Sequence, residues 1–270
     1  MKLSQIYELA IDLGKEVDIR GKNQDIDYFP DSKVINFKDR EIRGVFVGID
    51  VGVGELLLID KLKDKGLEID AAVSHHPISK AAYMMAEVAE IQKYNWIKYG
   101  VEEKTAEKLV KKIIWESQIE AKAKNNLRAE SAARYLDIPL ICVHTAIDNL
   151  TQAYFEQVVG SNKSLTLGEL FKIISGIEEC QMAEENGDGP FMVDERLKKK
   201  NVGKYMVDMS GGLDLVIEIF SYLKGRVDTV IGMHYSVDNI KAVKEKKIGA
   251  IITGHMASDS IGLNIYCDKL

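Results

Sequence analysis

The 270-residue sequence contains only three cysteines and four prolines, and no apolar run long enough to span a bilayer. Cys142, Cys180 and Cys267 lie far apart and are odd in number, so a fold held by disulfides is not expected. We predict reduced core cysteines in a cytoplasmic protein. Met1-Lys2 leads into an amphipathic segment and not into a signal peptide, so no membrane partner is expected.

An excess of positive charge is also absent. Lys and Arg number 36 against 42 Asp and Glu, which gives a formal net charge of −6. Nucleic-acid binding generally requires a basic surface, so a nucleic-acid partner is not expected. With 46% hydrophobic residues, the chain can bury the core of one large domain or of two lobes.

The glycine fingerprint of dinucleotide-binding proteins is incomplete. Gly48, Gly52 and Gly54 follow an apolar run, but Leu57 occupies the place of the third glycine of GxGxxG. A dinucleotide-binding protein is therefore disfavoured. We predict that this turn serves close packing of the chain, with a phosphate cradle as the alternative.

Histidines stand at the ends of predicted strands. The apolar runs at 45–50 and 71–73, with a helical segment between them, predict a βαβ unit. The second run ends at His75-His76, and Pro77 stops the strand there. Because neighbouring strand residues point to opposite faces, two adjacent histidines can serve one pocket only at a strand end. One solvated histidine and one core histidine would explain the pair equally well.

Two further apolar runs lead into similar segments. Residues 139–143 precede the HTAID segment at 144–148, and residues 250–254 precede the HMASD segment at 255–259. A helix that opens at residue 255 would place its His and Asp on one face, one turn apart. In parallel sheets, ligands bind beyond the carboxyl ends of the strands. Nitrogen and oxygen donors of this kind suit zinc, iron or manganese better than they suit a soft metal.

The rest of the chain predicts alternating strands and helices. Residues 80–134 are almost continuously helical in pattern, with a break at Tyr99-Gly100, and predict a helical hairpin that forms a lid or an oligomer interface. His234 stands at the end of another predicted strand. The other predicted elements are helices at 3–17, 151–174, 213–223 and 237–246 and strands at 33–37, 205–209 and 227–233.

In this order, the SHHP, HTAID and GHMASD segments resemble the Nif-three-like family of dinuclear metal-binding proteins, often described as GTP cyclohydrolase 1 type 2 homologues. The resemblance covers about 45–77, 130–150 and 205–265. It implies two divalent transition metal ions (Zn, Fe or Mn), held by His75, His76, Asp148, His255 and Asp259. Asp259 is one methylene shorter than the Glu that the family usually has. Asp50, at the end of the first strand, is a candidate partner for a ligand histidine.

The expected fold is α/β, with two similar lobes of mixed β-sheet flanked by helices and the metal site in the cleft between them. We expect a single Nif-three-like domain of residues 1–270. Its N-terminal lobe covers 1–150, with a helical insertion at about 79–135 after the first His motif, and its C-terminal lobe covers 151–270. The resemblance also implies a homo-oligomer, with a ring-shaped hexamer as the assembly that the family commonly forms.

The leading functional hypothesis is a dinuclear metal-dependent hydrolase that acts on a small molecule. Cyclohydrolysis of a nucleotide is the activity named for the family. His234 and His144 are candidate general acid–base residues, and both direct metal ligation and a purely structural role remain alternatives for His144. The alternative from another class is a metal-binding regulatory or chaperone-like protein without catalysis. Open coordination positions would distinguish the hydrolase from a closed metal-binding protein.

Overall fold

Two four-stranded sheets form the centre of the computed structural model, which describes residues 1–21 and 29–270. The strands of the first sheet are β1 Lys33–Asn36, β2 Val45–Gly48, β3 Ala71–Ser74 and β4 Leu140–Cys142. Those of the second are β5 Phe191–Met192, β6 Tyr205–Asp208, β7 Thr229–Gly232 and β8 Gly249–Ile252.

The two sheets have the same topology. The strand order is β1-β4-β3-β2 in the first sheet and β5-β8-β7-β6 in the second. In each sheet three consecutive strands run parallel, and one earlier strand pairs antiparallel with the last of them. Strands β3 and β7 are buried along their whole length, as expected for parallel strands covered on both faces. The predicted α/β fold with two similar lobes is therefore confirmed.

Helices cover both sheets. They are α1 Leu3–Glu16, α2 Val53–Asp64, α3 Ser79–Met84, α4 Glu90–Lys98, α5 Glu103–Lys122, α6 Arg128–Tyr135, α7 Thr145–Asn162, α8 Leu167–Ser175, α9 Glu178–Glu185, α10 Ile219–Leu223, α11 Val237–Lys246 and α12 His255–Cys267. Within the described ranges, no helix has both the length and the apolar character needed to cross a membrane.

The helical insertion packs on the opposite lobe. Its two ends pack on the first lobe through Ala81, Ala129 and Ala133. Although the insertion lies between β3 and β4 of the first sheet, the apolar residues between these ends share a core with Met206, Phe220 and Val230 of the C-terminal lobe. The contributors from the insertion are Ala89, Trp96, Val101, Ala106, Leu109, Val110 and Ile113. These apolar residues of the insertion are therefore buried within the chain, where they form part of the core of the second lobe.

Two predicted helix boundaries are wrong. The helix predicted at 213–223 is present only as α10, because side chains occupy carbonyl groups that a longer helix would need. Gln92 Nε2 donates to Leu213 O (2.7 Å) and Asn239 Nδ2 donates to Leu215 O (2.9 Å). Helix α7 begins at Thr145 and not at residue 151, so the HTAID segment forms the first turn of a helix.

In the glycine turn after β2, a backbone N–H group is already hydrogen-bonded to a side chain of the chain itself. Gly52 precedes α2, and its N–H donates to Glu55 Oε2 at 2.8 Å. This contact places a carboxylate at the start of the helix, where a phosphate would otherwise bind. The geometry therefore favours the packing interpretation over a phosphate cradle.

Candidate metal centre

The strand ends of the two sheets meet in the cleft between the lobes. His75 and His76 follow β3, and Asp148 lies in the first turns of α7. His255 and Asp259 come from the start of α12 in the other lobe. All five predicted metal ligands are therefore brought together, although they span nearly 200 residues of sequence.

One group of these side chains is buried, and we call it the inner set: His75, His144, Asp148 and the Oδ1 atom of Asp259. His75 Nε2 lies 3.3 Å from Asp148 Oδ1 and 3.4 Å from Asp259 Oδ1. His144 Nε2 lies 3.7 Å from Asp148 Oδ2. The ligand atoms of His75, His144 and Asp148 all lie within 4.8 Å of one another, so these residues could hold a metal ion.

A second group lies nearer to solvent, and we call it the outer set: His76, His255 and the Oδ2 atom of Asp259. Asp259 Oδ2 lies 3.1 Å from His76 Nε2 and 3.4 Å from His255 Nε2. The two imidazole Nε2 atoms are 3.3 Å apart. Side-chain exposure is 22% for His76 and 39% for His255. An ion in this set would therefore be accessible from solvent.

Three imidazoles are oriented by contacts on the side away from the centre. His75 Nδ1 lies 3.1 Å from Val143 O, His76 Nδ1 lies 2.8 Å from Asp50 Oδ1, and His144 Nδ1 lies 2.6 Å from an Asp31 oxygen. With the proton on Nδ1, each ring directs its Nε2 lone pair into the centre. Metal-ligating histidines are commonly held in this way. The contact confirms that Asp50 reaches a candidate ligand.

Unpaired buried atoms support the fit to a metal. His75 Nε2 and Asp259 Oδ1 are buried, and neither forms a hydrogen bond of acceptable geometry with any residue that the structure describes. Buried polar atoms are nearly always satisfied, so such a pair at one point indicates a missing partner. A cation that accepts both lone pairs would satisfy them.

The acidic and basic groups of the centre shift one another's pKa values. Burial lowers the pKa of His75, but contacts with Asp148 and Asp259 outweigh it and raise the pKa to about 10. Burial lowers the pKa of His76 as well, and Asp259 and Asp50 again reverse the direction. Burial raises the pKa of Asp259, but the two histidines hold it well below its usual range. The carboxylate is therefore ionised and ready to act as a ligand.

Asp31 is a site residue that the sequence did not reveal. It is completely buried, and one of its oxygens contacts both His144 Nδ1 and Thr145 Oγ1 at 2.6 Å. The residue lies just before β1 in a polar stretch that has no periodic pattern. Its position beside His144 comes from the antiparallel pairing of β1 with β4. Asp31 therefore fixes the orientation of an imidazole in the inner set.

We expect Asp31→Asn to lower metal affinity about 10- to 100-fold, because His144 would lose the charged partner that orients it. Asp39→Asn, which changes an exposed carboxylate near the same strand, serves as the control and should leave the affinity unchanged. Competition with a chromophoric chelator measures both affinities. Equal affinities for the two variants would show that Asp31 does not support the centre.

His234 lies beside the outer set and not within it. Its ring centroid is 4.7 Å from that of His255, and its Nδ1 is 3.2 Å from Asp214 Oδ1. Contact with Asp214 raises the pKa of His234. Asp208, at the end of β6, is a further group that sequence reasoning missed, and burial raises its pKa to about 7. Because Asp208 lies at the end of a predicted strand, the sequence could have indicated it as a candidate site residue.

Comparison with known proteins gives a structural match but no sequence match. No family model matches the sequence, and no curated protein matches it. A NIF3 superfamily protein from Sphaerobacter thermophilus superposes with a TM-score of 0.83 at 20% identity, over 98% of this chain and 92% of that one.

Two other solved structures match over the whole of this chain and 93% of their own. They are reduced HcgD from Methanocaldococcus jannaschii, with a TM-score of 0.55 at 14% identity, and TTHA1606 from Thermus thermophilus, with 0.53 at 11%. Taken with the shared topology of the two lobes, these likenesses show that the chain has the fold of the NIF3 superfamily, which confirms at the level of fold the resemblance carried by its three motifs.

Proposed function

We propose that this protein is a hydrolase whose centre holds two divalent metal ions, one in the inner set and one in the outer set. The observation that carries the proposal is the position of Asp259. Its Oδ1 faces His75, whereas its Oδ2 faces His76 and His255. A carboxylate with one oxygen on each side could bridge two ions, and this geometry supports a bridging role for the shorter side chain. Two bound ions would supply Lewis acidity and lower the pKa of a coordinated water, which is the chemistry of hydrolysis.

The two sets differ in their exposure to solvent, and this difference supports different roles for the two ions. The inner set is buried, as in metal sites that serve structure, whereas the imidazoles of the outer set reach solvent. Catalytic metal sites keep at least one position open to substrate. We therefore assign substrate binding to the outer set and assign to the inner set the role of holding Asp148 and Asp259 in place.

The two histidines outside the five predicted metal ligands receive different roles. His234 is accessible and held by Asp214, so we propose that it transfers a proton to the leaving group beside the outer set. His144 is buried, and its Nε2 faces Asp148. We therefore propose that His144 holds the inner ion and does not exchange protons with the substrate.

Metal stoichiometry and turnover test this function together. Protein reconstituted with Zn, Fe(II) or Mn should contain about two ions per chain and hydrolyse members of a panel of phosphoesters, amides and purine nucleotides such as GTP, whose ring a cyclohydrolase would open. His255→Ala should reduce turnover by at least about 100-fold, since it removes a ligand of the exposed ion. At most one ion per chain would contradict a dinuclear centre. Two ions without hydrolysis would favour the metal-binding regulatory alternative.

Metal uptake should release protons. Because the pKa of His75 is raised to about 10, its imidazole is protonated at pH 7, and only the neutral form can bind a metal. Metal affinity should therefore rise as the pH increases from 7 towards 10 and fall on acidification. Calorimetric titrations at pH 7 in two buffers of different ionisation enthalpy measure the effect, and we expect at least about one proton released per chain. Identical enthalpies in the two buffers would contradict it.

A further inference from the structure

A cavity of about 470 Å³ opens beside the metal centre, between α5 of the insertion and the segment at 212–218. His234 forms part of its wall, and the His234 ring lies 4.7 Å from the ring of His255 in the outer set. Gly212 forms another part, and its backbone lies so close to His144 that an added Cβ would come within 2.7 Å of that ring. Two residues of the cavity wall therefore lie next to the metal centre, one beside each set.

The wall of this cavity is acidic. Its ionisable groups other than His234 are one ammonium, Lys112, and five carboxylates, which belong to Glu116, Glu120, Asp214, Glu218 and Asp238. Three of the five have a basic partner: Glu218 pairs with Lys112 and Asp238 pairs with Lys241, both at 2.8 Å. Asp214 pairs with His234 at 3.2 Å. Glu116 and Glu120 stand one turn apart on α5, and within the described ranges neither forms an ion pair. Negative charge therefore remains in excess along one side.

A buried and unpaired acceptor lies in the same wall. Asn239 is fully buried, and its Nδ2 donates to Leu215 O at 2.9 Å, but its Oδ1 has no hydrogen-bond partner among residues 1–21 and 29–270. An unsatisfied buried carbonyl is costly, which indicates that a donor is supplied from outside the chain. The carboxylates and this carbonyl are all acceptors. The complementary ligand is therefore a positively charged group rich in N–H donors.

A bare metal ion does not fit this description. Among the described residues, the groups of three ligand atoms close enough to share an ion lie at the histidine centre, and none lies in this cavity. The volume also falls in the range of about 300–1,000 Å³ that is typical of small-molecule sites. We propose that the substrate of the metal centre carries a protonated amine, which this cavity binds while the bond to be cleaved lies at the outer set. That the ligand is a substrate rests on the proposed function, whereas the preference of the cavity for an organic cation can be tested without turnover.

Binding of 1,5-diaminopentane to the metal-loaded protein tests the inference, with 1,5-pentanediol as an uncharged probe of similar length. Calorimetry should show one diamine bound per chain and no binding of the diol. The double variant Glu116→Gln/Glu120→Gln should weaken diamine binding about threefold to tenfold, since it removes two exposed charges without a change of size. Glu103→Gln/Glu107→Gln, on the same helix but outside the cavity, should bind the diamine as the unmodified protein does.

Three results would overturn the inference. Equal binding of the diol would remove the preference for a cation. Unchanged diamine binding by Glu116→Gln/Glu120→Gln would place the amine elsewhere, for example on the metal ions themselves. Displacement of the diamine by one equivalent of Mg²⁺ would identify a metal-ion site. Because no turnover is measured, a failed hydrolysis panel leaves this result intact, and a failed diamine titration leaves the metal stoichiometry intact.

Discussion

Replacing Asp259 by asparagine should remove both ions from the protein, with a loss of metal affinity of at least about 100-fold. The exchange keeps the size of the side chain but removes its charge and puts an amide nitrogen in place of one oxygen. Because Oδ1 faces His75 and Oδ2 faces His76 and His255, either orientation of the amide damages one set directly and weakens the other. Elemental analysis after metal-limited purification and reconstitution measures the loss.

Related variants separate this effect from general damage. His255→Ala should lose only the outer ion and retain about one ion per chain, because the ligands of the inner set remain. Asp259→Glu, which restores a carboxylate, should retain two ions. Asp268→Asn changes an exposed carboxylate at the end of the same helix and should have no effect. Two ions bound to Asp259→Asn would contradict the bridging role of Asp259.

Replacing Trp96 by alanine should lower the free energy of unfolding by about 3–5 kcal/mol, since it leaves a large cavity in the core. Trp96 lies on α4 of the insertion and is fully buried against the second lobe. Chemical denaturation measures the change. Both proteins should be treated with chelator, so that metal binding does not add to the stability of the folded state.

The other tryptophan of the chain provides a matched control. Trp115 lies on α5 and is 63% exposed, so Trp115→Ala should change the free energy of unfolding by no more than about 0.5 kcal/mol. The same side chain is thus removed from a buried and from an exposed position of one insertion. Equal losses of stability in the two variants would contradict the packing of the insertion on the second lobe.

The ligands could be predicted from the sequence because they follow a local rule. Each candidate histidine stands directly after a short apolar run, and the carboxyl ends of parallel strands share one edge of a sheet. Asp259 follows His255 by four positions, and this spacing places both on one face of a helix whose start was correctly predicted. Helix α11 was also predicted with the observed boundaries.

The contacts that could not be predicted join distant parts of the chain. The hydrogen bond between Asp31 and His144 spans 113 residues, and it forms only because β1 pairs antiparallel with β4. Likewise, the hydrogen bond from Gln92 to the Leu213 carbonyl, which shortens the predicted helix, joins positions 121 residues apart. Apolar periodicity shows that a helix face is buried but not against which partner. The homo-oligomer also stays a prediction.

The crossing of the insertion between the lobes limits how this protein can be divided. A cut near residue 150 would follow the repeat in topology, but it would leave the C-terminal fragment without seven of its core side chains. Deletion of 79–135 would likewise expose an apolar face of the second sheet. We therefore expect that neither lobe folds alone and that the insertion cannot be removed without loss of the fold. The strand order repeats, but we expect the whole chain to unfold as one cooperative unit.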